Sequence, residues 1–256
     1  MEKIAGVILA AGEGTRMKSN LPKVLHEVCG IPMVKHVVDI LEGAGISEIV
    51  VVLGYSGEKV KAALKNHHLK PLRYALQEKQ LGTAQAVECA KPLIEDKDEV
   101  IVIYGDTPLF SPKTIEKLIE IYNKSKPVIA LVSFEIENPY GYGRVISNKK
   151  GEVLKIVEEK DARPEEKKIK EVNGGLYCFK ADWLWENLPK VKVSKVSGEY
   201  YLPDLIGLAV DQGKKVVRYK LKNYKEALGI NTKEELELVS KIMRERRKPI
   251  KFNKKQ

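Results

Sequence analysis

The stretch Ile4-Ala5-Gly6-Val7-Ile8-Leu9-Ala10-Ala11-Gly12-Glu13-Gly14-Thr15-Arg16-Met17 decides the fold. Its first part, Ile4 to Leu9, is an uncharged apolar run, the pattern of a parallel strand covered on both faces in an α/β protein. A loop leaving the carboxyl end of such a strand lies where open α/β sheets bind ligands. Gly12 and Gly14 allow backbone N–H groups to approach an anion. Arg16 offers a planar fork of donors, and Lys23, following Pro22, a compact charge. Two cations beside a backbone nest suit a polyphosphate. The loop lacks the Gly-Lys-Ser/Thr of a Walker loop, and Met17 stands where a dinucleotide fingerprint has its third glycine. Taken alone, the glycines equally describe an ordinary strand-to-helix turn with solvated cations.

Outward from this loop, β-rich runs alternate with helical periodicity. Ile4–Leu9 precedes Met33–Glu42, Glu48–Leu53 precedes Glu58–Lys65, Arg73–Leu76 precedes Thr83–Ala90, and Val100–Tyr104 precedes Pro112–Tyr122. This rhythm predicts an α/β fold, a Rossmann-like, mostly parallel mixed sheet flanked by helices. After Val128–Phe134 the pattern changes. Arg144–Ser147 and Val153–Glu158 flank Asn148-Lys149-Lys150-Gly151, a hairpin signature, and Gly175–Phe179 reads as a further strand. Helical signals return at Asp182–Asn187 and at Leu202–Asp211, the latter stopped by Gly213, and Lys215–Leu221 reads as a strand. Glu226–Ile230 also looks strand-like. Thr232 is placed to cap a last helix with acids in its first turn and bases toward its end, the order that complements the helix dipole. Pro249 ends that helix. The expected organisation is a nucleotidyltransferase unit over 1–232, divided into a nucleotide-binding part, 1–134, and a hairpin-containing sugar-binding part, 135–232, then a helix and basic tail over 233–256. No hexapeptide series of the kind that builds a β-helix is present.

The formal charge of +10 invites a nucleic-acid reading, but Lys241 to Gln256 holds eight Lys and Arg residues against the single Glu245 and supplies +7 of it. A terminal basic run of this kind is a solvated helix end, and no nucleic-acid partner is expected. Cys29, Cys89 and Cys178 are dispersed, without metal-ligand spacing, and are expected to be reduced, buried thiols. No signal-peptide pattern and no run approaching the ~20 apolar residues of a membrane span is present, so a cytoplasmic protein without membrane contact is expected.

Tyr104-Gly105-Asp106 closes the apolar strand from Val100 and sets a carboxylate at the same sheet edge as the glycine loop. A hard oxygen there suits Mg²⁺, which is held by one or two protein oxygens with phosphates and waters. Asp is also a common turn former, and Asn231 is open to two readings, a second oxygen ligand or part of a helix cap.

With Gln77-x-x-Gln80-Leu81-Gly82-Thr83-Ala84, Leu21-Pro22-Lys23-Val24-Leu25-His26, Gly141-Tyr142-Gly143-Arg144, Ile156-Val157-Glu158-Glu159-Lys160-Asp161-Ala162, Asn173 and Gly198-Glu199-Tyr200-Tyr201, the chain resembles one family from Leu9 to Asn231. It is similar to the pyrophosphorylase part of bacterial N-acetylglucosamine-1-phosphate uridylyltransferases, within the nucleoside-diphosphate-sugar pyrophosphorylases. The resemblance implies the nucleotide-diphospho-sugar transferase fold and, as substrates, UTP and N-acetylglucosamine-1-phosphate. It implies Leu9, Ala10, Ala11, Gly12, Gly14, Gln77, Gly82, Thr83, Tyr104 and Gly105 at the nucleotide, and Gly143, Glu158 and Asn173 at the sugar. Asp106 and Asn231 are implied as Mg²⁺ ligands, and Arg16, Lys23 and Asp106 as the residues of the chemistry. Two positions depart from the family pattern. Asn173-Gly174-Gly175 replaces the familiar Asn-Thr-Gly, and Thr107 stands where Val is common. The residues also leave open transfer to glucose-1-phosphate or another hexose-1-phosphate with UTP or dTTP, and a non-catalytic sugar-nucleotide sensor. Oligomeric state is not encoded in any pattern found.

Overall fold

The computed structural model describes residues 3–65 and 71–247. Along the chain run β1 (Ile4–Leu9), β2 (Glu27–Val28), β3 (Ile31–Pro32), α1 (Met33–Gly43), β4 (Glu48–Leu53), α2 (Gly57–Leu64) and β5 (Arg73–Leu76). Next come α3 (Thr83–Ile94), β6 (Glu99–Tyr104), α4 (Pro112–Ser125), β7 (Ile129–Glu135), β8 (Arg144–Ser147) and β9 (Val153–Val157). The last are β10 (Glu171–Lys180), α5 (Ala181–Asn187), α6 (Asp204–Asp211), β11 (Val216–Lys220) and α7 (Lys233–Arg247).

The main sheet has the order β11-β7-β10-β6-β1-β4-β5, with the β8–β9 hairpin attached through β8 to β10. β1 pairs in parallel with β4 and β6, and β4 with β5, whereas β10 runs antiparallel between β6 and β7. The predicted mixed, mostly parallel sheet is therefore observed.

Its burial follows the two-residue period of a strand. Ile4 and Ile8, Ile49 and Val51, and Ile101 and Ile103 face one layer with residues of α1, α2 and α4. Ala5 and Val7, Val50 and Val52, and Val100 and Val102 face the other with residues of α3, α5 and α6. Each central strand thus carries apolar side chains on both faces, which explains its continuous apolar reading.

Local chemistry sets the element ends. The Ser111 hydroxyl accepts from the Thr114 N–H and Pro112 opens α4, while Lys126 in the left-handed region closes it. The Asn148–Gly151 turn closes as expected, with Gly151 at φ 80° and its N–H on the Asn148 carbonyl at 2.9 Å. At α7, Thr232 Oγ1 accepts from the Glu235 N–H at 3.2 Å, and the Glu235 carboxylate accepts from the N–H groups of Asn231 and Thr232. This is a capping box.

Three expectations change. Glu226–Ile230 is not a strand: Tyr224–Ala227 forms a 3₁₀ turn, and Leu228 and Ile230 bury into a third apolar cluster with Met17, Met33, Val239, Ile242 and Met243 instead of pairing with the sheet. β10 begins at Glu171, with a register shift between Asn173 and Tyr177 where Gly174 and Gly175 lie. Of the cysteines only Cys178 is fully buried; Cys29 and Cys89 are partly exposed. Pro249 and most of the basic tail lie outside the described residues.

Candidate active site

The carboxyl ends of β1, β5 and β6 open into a cleft of about 380 Å³. Its floor carries Leu9, Ala11 and Gly12 from the first loop, Gln77 after β5, and Tyr104 with Asp106 after β6. Because β10 is antiparallel, its beginning rather than its end reaches this edge, which brings Asn173, Gly174 and Gly175 to the opposite wall.

The cations and oxygens predicted from separate motifs meet here. The Lys23 ammonium donates to Asp106 Oδ2 and, at 3.0 Å, to Asn231 Oδ1. Arg16 Nη2 donates to the same Asn231 oxygen at 2.9 Å. The backbone explains the convergence, since the Ile230 N–H donates to the Asp106 carbonyl at 3.0 Å and fixes the two segments side by side. Met17 anchors the loop in the third apolar cluster, leaving Arg16 at the cleft.

On the wall after β5, Gln77 is almost fully buried; its backbone N–H donates to the Leu53 carbonyl at 2.7 Å and its Nε2 to the Gly82 carbonyl at 3.0 Å. Gly82 has φ 119°, and a Cβ there would stand 2.4 Å from the Tyr200 carbonyl oxygen, so the close approach of the two segments demands glycine. Thr83 Oγ1 accepts from the Leu202 N–H at 2.8 Å.

The opposite side holds Gly143, Glu158 and Asn173. The Asn173 N–H donates to the Gly143 carbonyl at 2.8 Å. Burial pushes the Glu158 carboxyl up to about 7, with the charges of Asp204, Asp161 and Glu199 adding to the rise. Gly143 must lack a side chain, because a Cβ would lie 2.9 Å from Glu158 Oε1.

Of the predicted site residues, Leu9, Ala11, Gly12, Arg16, Lys23, Gln77, Gly82, Thr83, Tyr104, Asp106, Gly143, Glu158, Asn173 and Asn231 line this single cleft. Ala10, Gly14 and Gly105 are not among the residues that line it. Gly14, at φ 71°, supports the stem of Lys23: a Cβ there would stand 2.4 Å from Lys23 Cβ. Gly105 lies against the Leu9 carbonyl, to which its N–H donates at 3.0 Å.

Tyr142, Arg144 and Glu159 carry no assigned role in the sequence analysis, although all three lie in quoted motifs. Arg144 is 1% exposed. Its guanidinium donates to the Tyr142 carbonyl and, at 2.6 Å, to Glu159 Oε2, which also accepts from the Gly141 N–H. This ion pair holds the Gly141–Gly143 loop against the cleft. Only its charge partner, fifteen residues away, separates Arg144 from an ordinary strand residue.

Among the described residues, no three His, Cys, Asp or Glu side chains gather as a metal cage. The carboxylate of Asp106 and the amide oxygen of Asn231 nevertheless converge on one point, occupied by the Lys23 ammonium. Two hard oxygens that together hold a cation fit a divalent ion that takes its remaining ligands from phosphates and water. No helix among the described residues is long and apolar enough to cross a membrane.

Residues 6–168 match the MobA-like NTP transferase domain. The chain belongs to this family. Within the NTP transferase family it is 43% identical to the bifunctional protein GlmU of Brevibacillus brevis, over 96% of this chain and 53% of that protein. It is 45% identical to GlmU of Pelotomaculum thermopropionicum, over 95% of this chain and 52% of that protein. The chain therefore spans about half the length of the curated relatives it matches. A crystal structure of a UDP-glucose pyrophosphorylase complexed with UDP-glucose superposes with a TM-score of 0.78 at 20% identity, over 95% of this chain and 99% of the other. That likeness shows the shared fold.

Proposed function

We propose that this NTP transferase joins UTP to N-acetylglucosamine-1-phosphate, giving UDP-N-acetylglucosamine and pyrophosphate. The observation that carries the reading is the placement of Arg16, Lys23, Asp106 and Asn231 between a base-side wall of Gln77, Gly82 and Thr83 and a sugar-side wall of Gly143, Glu158 and Asn173. The relatives named GlmU and the ordered motifs from Leu9 to Asn231 support it.

A phosphate oxygen of the sugar phosphate attacks the α-phosphorus of UTP in line. The bond from that phosphorus to the bridging oxygen breaks, and pyrophosphate leaves with the electron pair. The attacking oxygen is already anionic near neutral pH, so no covalent enzyme intermediate and no strong general base is required. Catalysis is then alignment and charge neutralisation. Arg16 stabilises the departing pyrophosphate and Lys23 steadies the transferred phosphoryl group. Asp106 and Asn231 would hold a divalent cation, which we assign as Mg²⁺, and this ion would supply further neutralisation of phosphate charge. The Gln77 amide and the Gly82 and Thr83 backbone read the base through polar pairing, which rejects a wrong base by leaving buried groups unpaired. Glu158, Gly143 and Asn173 contact the sugar hydroxyls and acetamido group.

Pyrophosphate release from a panel of UTP, dTTP, ATP and GTP against several hexose 1-phosphates tests the reading. Highest kcat/KM for UTP with N-acetylglucosamine-1-phosphate is expected. Preference for glucose-1-phosphate or dTTP would replace the substrate, and no turnover on any pair would refute the activity.

A further inference from the structure

Tyr177 belongs to no motif and does not line the cleft. It is fully buried on β10, its ring packed between Tyr104, at 6.3 Å between centroids, and Phe179, at 5.6 Å. A phenylalanine would fill the same space, and Phe179 does so two residues along. A phenolic hydroxyl in this position is costly unless paired, and its pairing is specific. The Asn173 Nδ2 donates to the Tyr177 hydroxyl at 2.5 Å. The neighbouring Tyr104, against whose ring Tyr177 packs, lines the cleft beside Thr83.

These bonds settle which way the Asn173 carboxamide points. Its Oδ1 accepts from the Gly175 N–H at 3.2 Å, a group that can only donate. Its Nδ2 faces the Tyr177 hydroxyl, which accepts through an oxygen lone pair. One N–H and one lone pair of the amide remain for the cleft. Without the Tyr177 hydroxyl, the Nδ2 loses its buried acceptor, and the carboxamide is held only from the Gly175 side.

We propose that Tyr177 is a positioning residue that fixes the carboxamide of Asn173 on the wall of the cleft. It thereby sets selectivity for the group beside the sugar hydroxyls. The inference rests on the reading of Asn173 as a sugar contact.

The test is a double-mutant cycle with Tyr177→Phe, Asn173→Ala and both together, measuring kcat and each KM. Melting temperatures are recorded alongside. Tyr177→Phe is expected to raise KM for the sugar phosphate about tenfold, the scale of leaving one buried donor unpaired. KM for UTP and kcat are expected to stay within about threefold, below the effect of one lost hydrogen bond. Preference for N-acetylglucosamine-1-phosphate over glucose-1-phosphate should fall by a similar factor. In the Asn173→Ala background, Tyr177→Phe should add nothing.

An unchanged sugar KM and selectivity, a uniform fall across both substrates, or a full additional effect in the Asn173→Ala background would each overturn the proposal. Tyr177→Leu removes the same hydroxyl with a smaller side chain and gives a second route if Tyr177→Phe fails to fold. Its effect on the sugar KM should shrink in the Asn173→Ala background, and equal effects in both backgrounds overturn the coupling. If the wild type turns over a different hexose 1-phosphate, the substrate reading fails while the cycle is read on that sugar.

Discussion

Replacing Gly14 by alanine separates a residue that touches ligand from one that holds a catalytic side chain in place. Gly14 sits at φ 71°, and an added Cβ would stand 2.4 Å from Lys23 Cβ and 3.3 Å from Lys23 Cα. Carbon atoms in good contact lie ~3.5–4.0 Å apart, so the two stems must separate by roughly 1 Å or more. The left-handed backbone adds ~1–2 kcal/mol for any residue with a Cβ. At ~2–4 °C per kcal/mol for a chain of this size, the melting temperature should fall by roughly 2–8 °C. The same displacement shifts the Lys23 ammonium from its place in the cleft, and a misplacement of about 1 Å costs on the order of 10² in rate. Gly14→Ala should therefore lose about 10² in kcat/KM, approaching Lys23→Ala, as measured by pyrophosphate release. Gly12→Ala is the control. Nothing lies within 4 Å of a Cβ there, yet Gly12 lines the cleft, so its melting temperature should hold while KM for UTP rises. A Gly14→Ala enzyme with wild-type melting and turnover would refute the assignment of Gly14 as the support of Lys23.

Asp106→Asn should lower kcat by ~10²–10³, the scale for one preorganised charge contact, while circular dichroism and melting stay close to wild type. Chelation with EDTA should abolish pyrophosphate release without unfolding, with Mg²⁺ restoring it; full activity in chelator would contradict the oxygen pair at Asp106 and Asn231. Glu158, pushed up to about 7, binds its proton more tightly folded than unfolded, so stability should decline as pH rises from about 4.5 toward 7 and level off above. Denaturant titrations of wild type and Glu158→Gln across that window should show a decline larger in the wild type by up to roughly 3 kcal/mol, with Asp204, which burial pushes up to about 6, adding a decline common to both. Gly175→Ala, at φ 70° with a Cβ 2.8 Å from the Tyr104 ring, should destabilise the fold and raise the sugar KM; an unchanged sugar KM would show that this bulge does not shape the cleft.

Much of this molecule was legible locally. The apolar runs at Ile4–Leu9, Glu48–Leu53 and Glu99–Tyr104 specify strands because both faces of a central strand are buried, and the Asn148–Gly151 turn and Thr232 cap specify ends through backbone chemistry confined to a few residues. The resemblance then linked distant motifs into one candidate site. Glu226–Ile230 misled because its apolar residues are drawn into the cluster beside α7, and burial alone does not distinguish a strand from an extended segment.

The sequence itself therefore determined the layers, the loop with its two cations, and the set of chemical groups available. Tertiary structure alone decided their meeting: Lys23 and Asn231 are 208 positions apart and share a hydrogen bond, and Arg144 closes on Glu159. It also decided that Gly14 packs against the stem of Lys23 and that the Tyr177 hydroxyl reaches Asn173. The physical reason is the order of the sheet. β10 enters antiparallel between β6 and β7, and no local period or propensity encodes which strand becomes the neighbour of which.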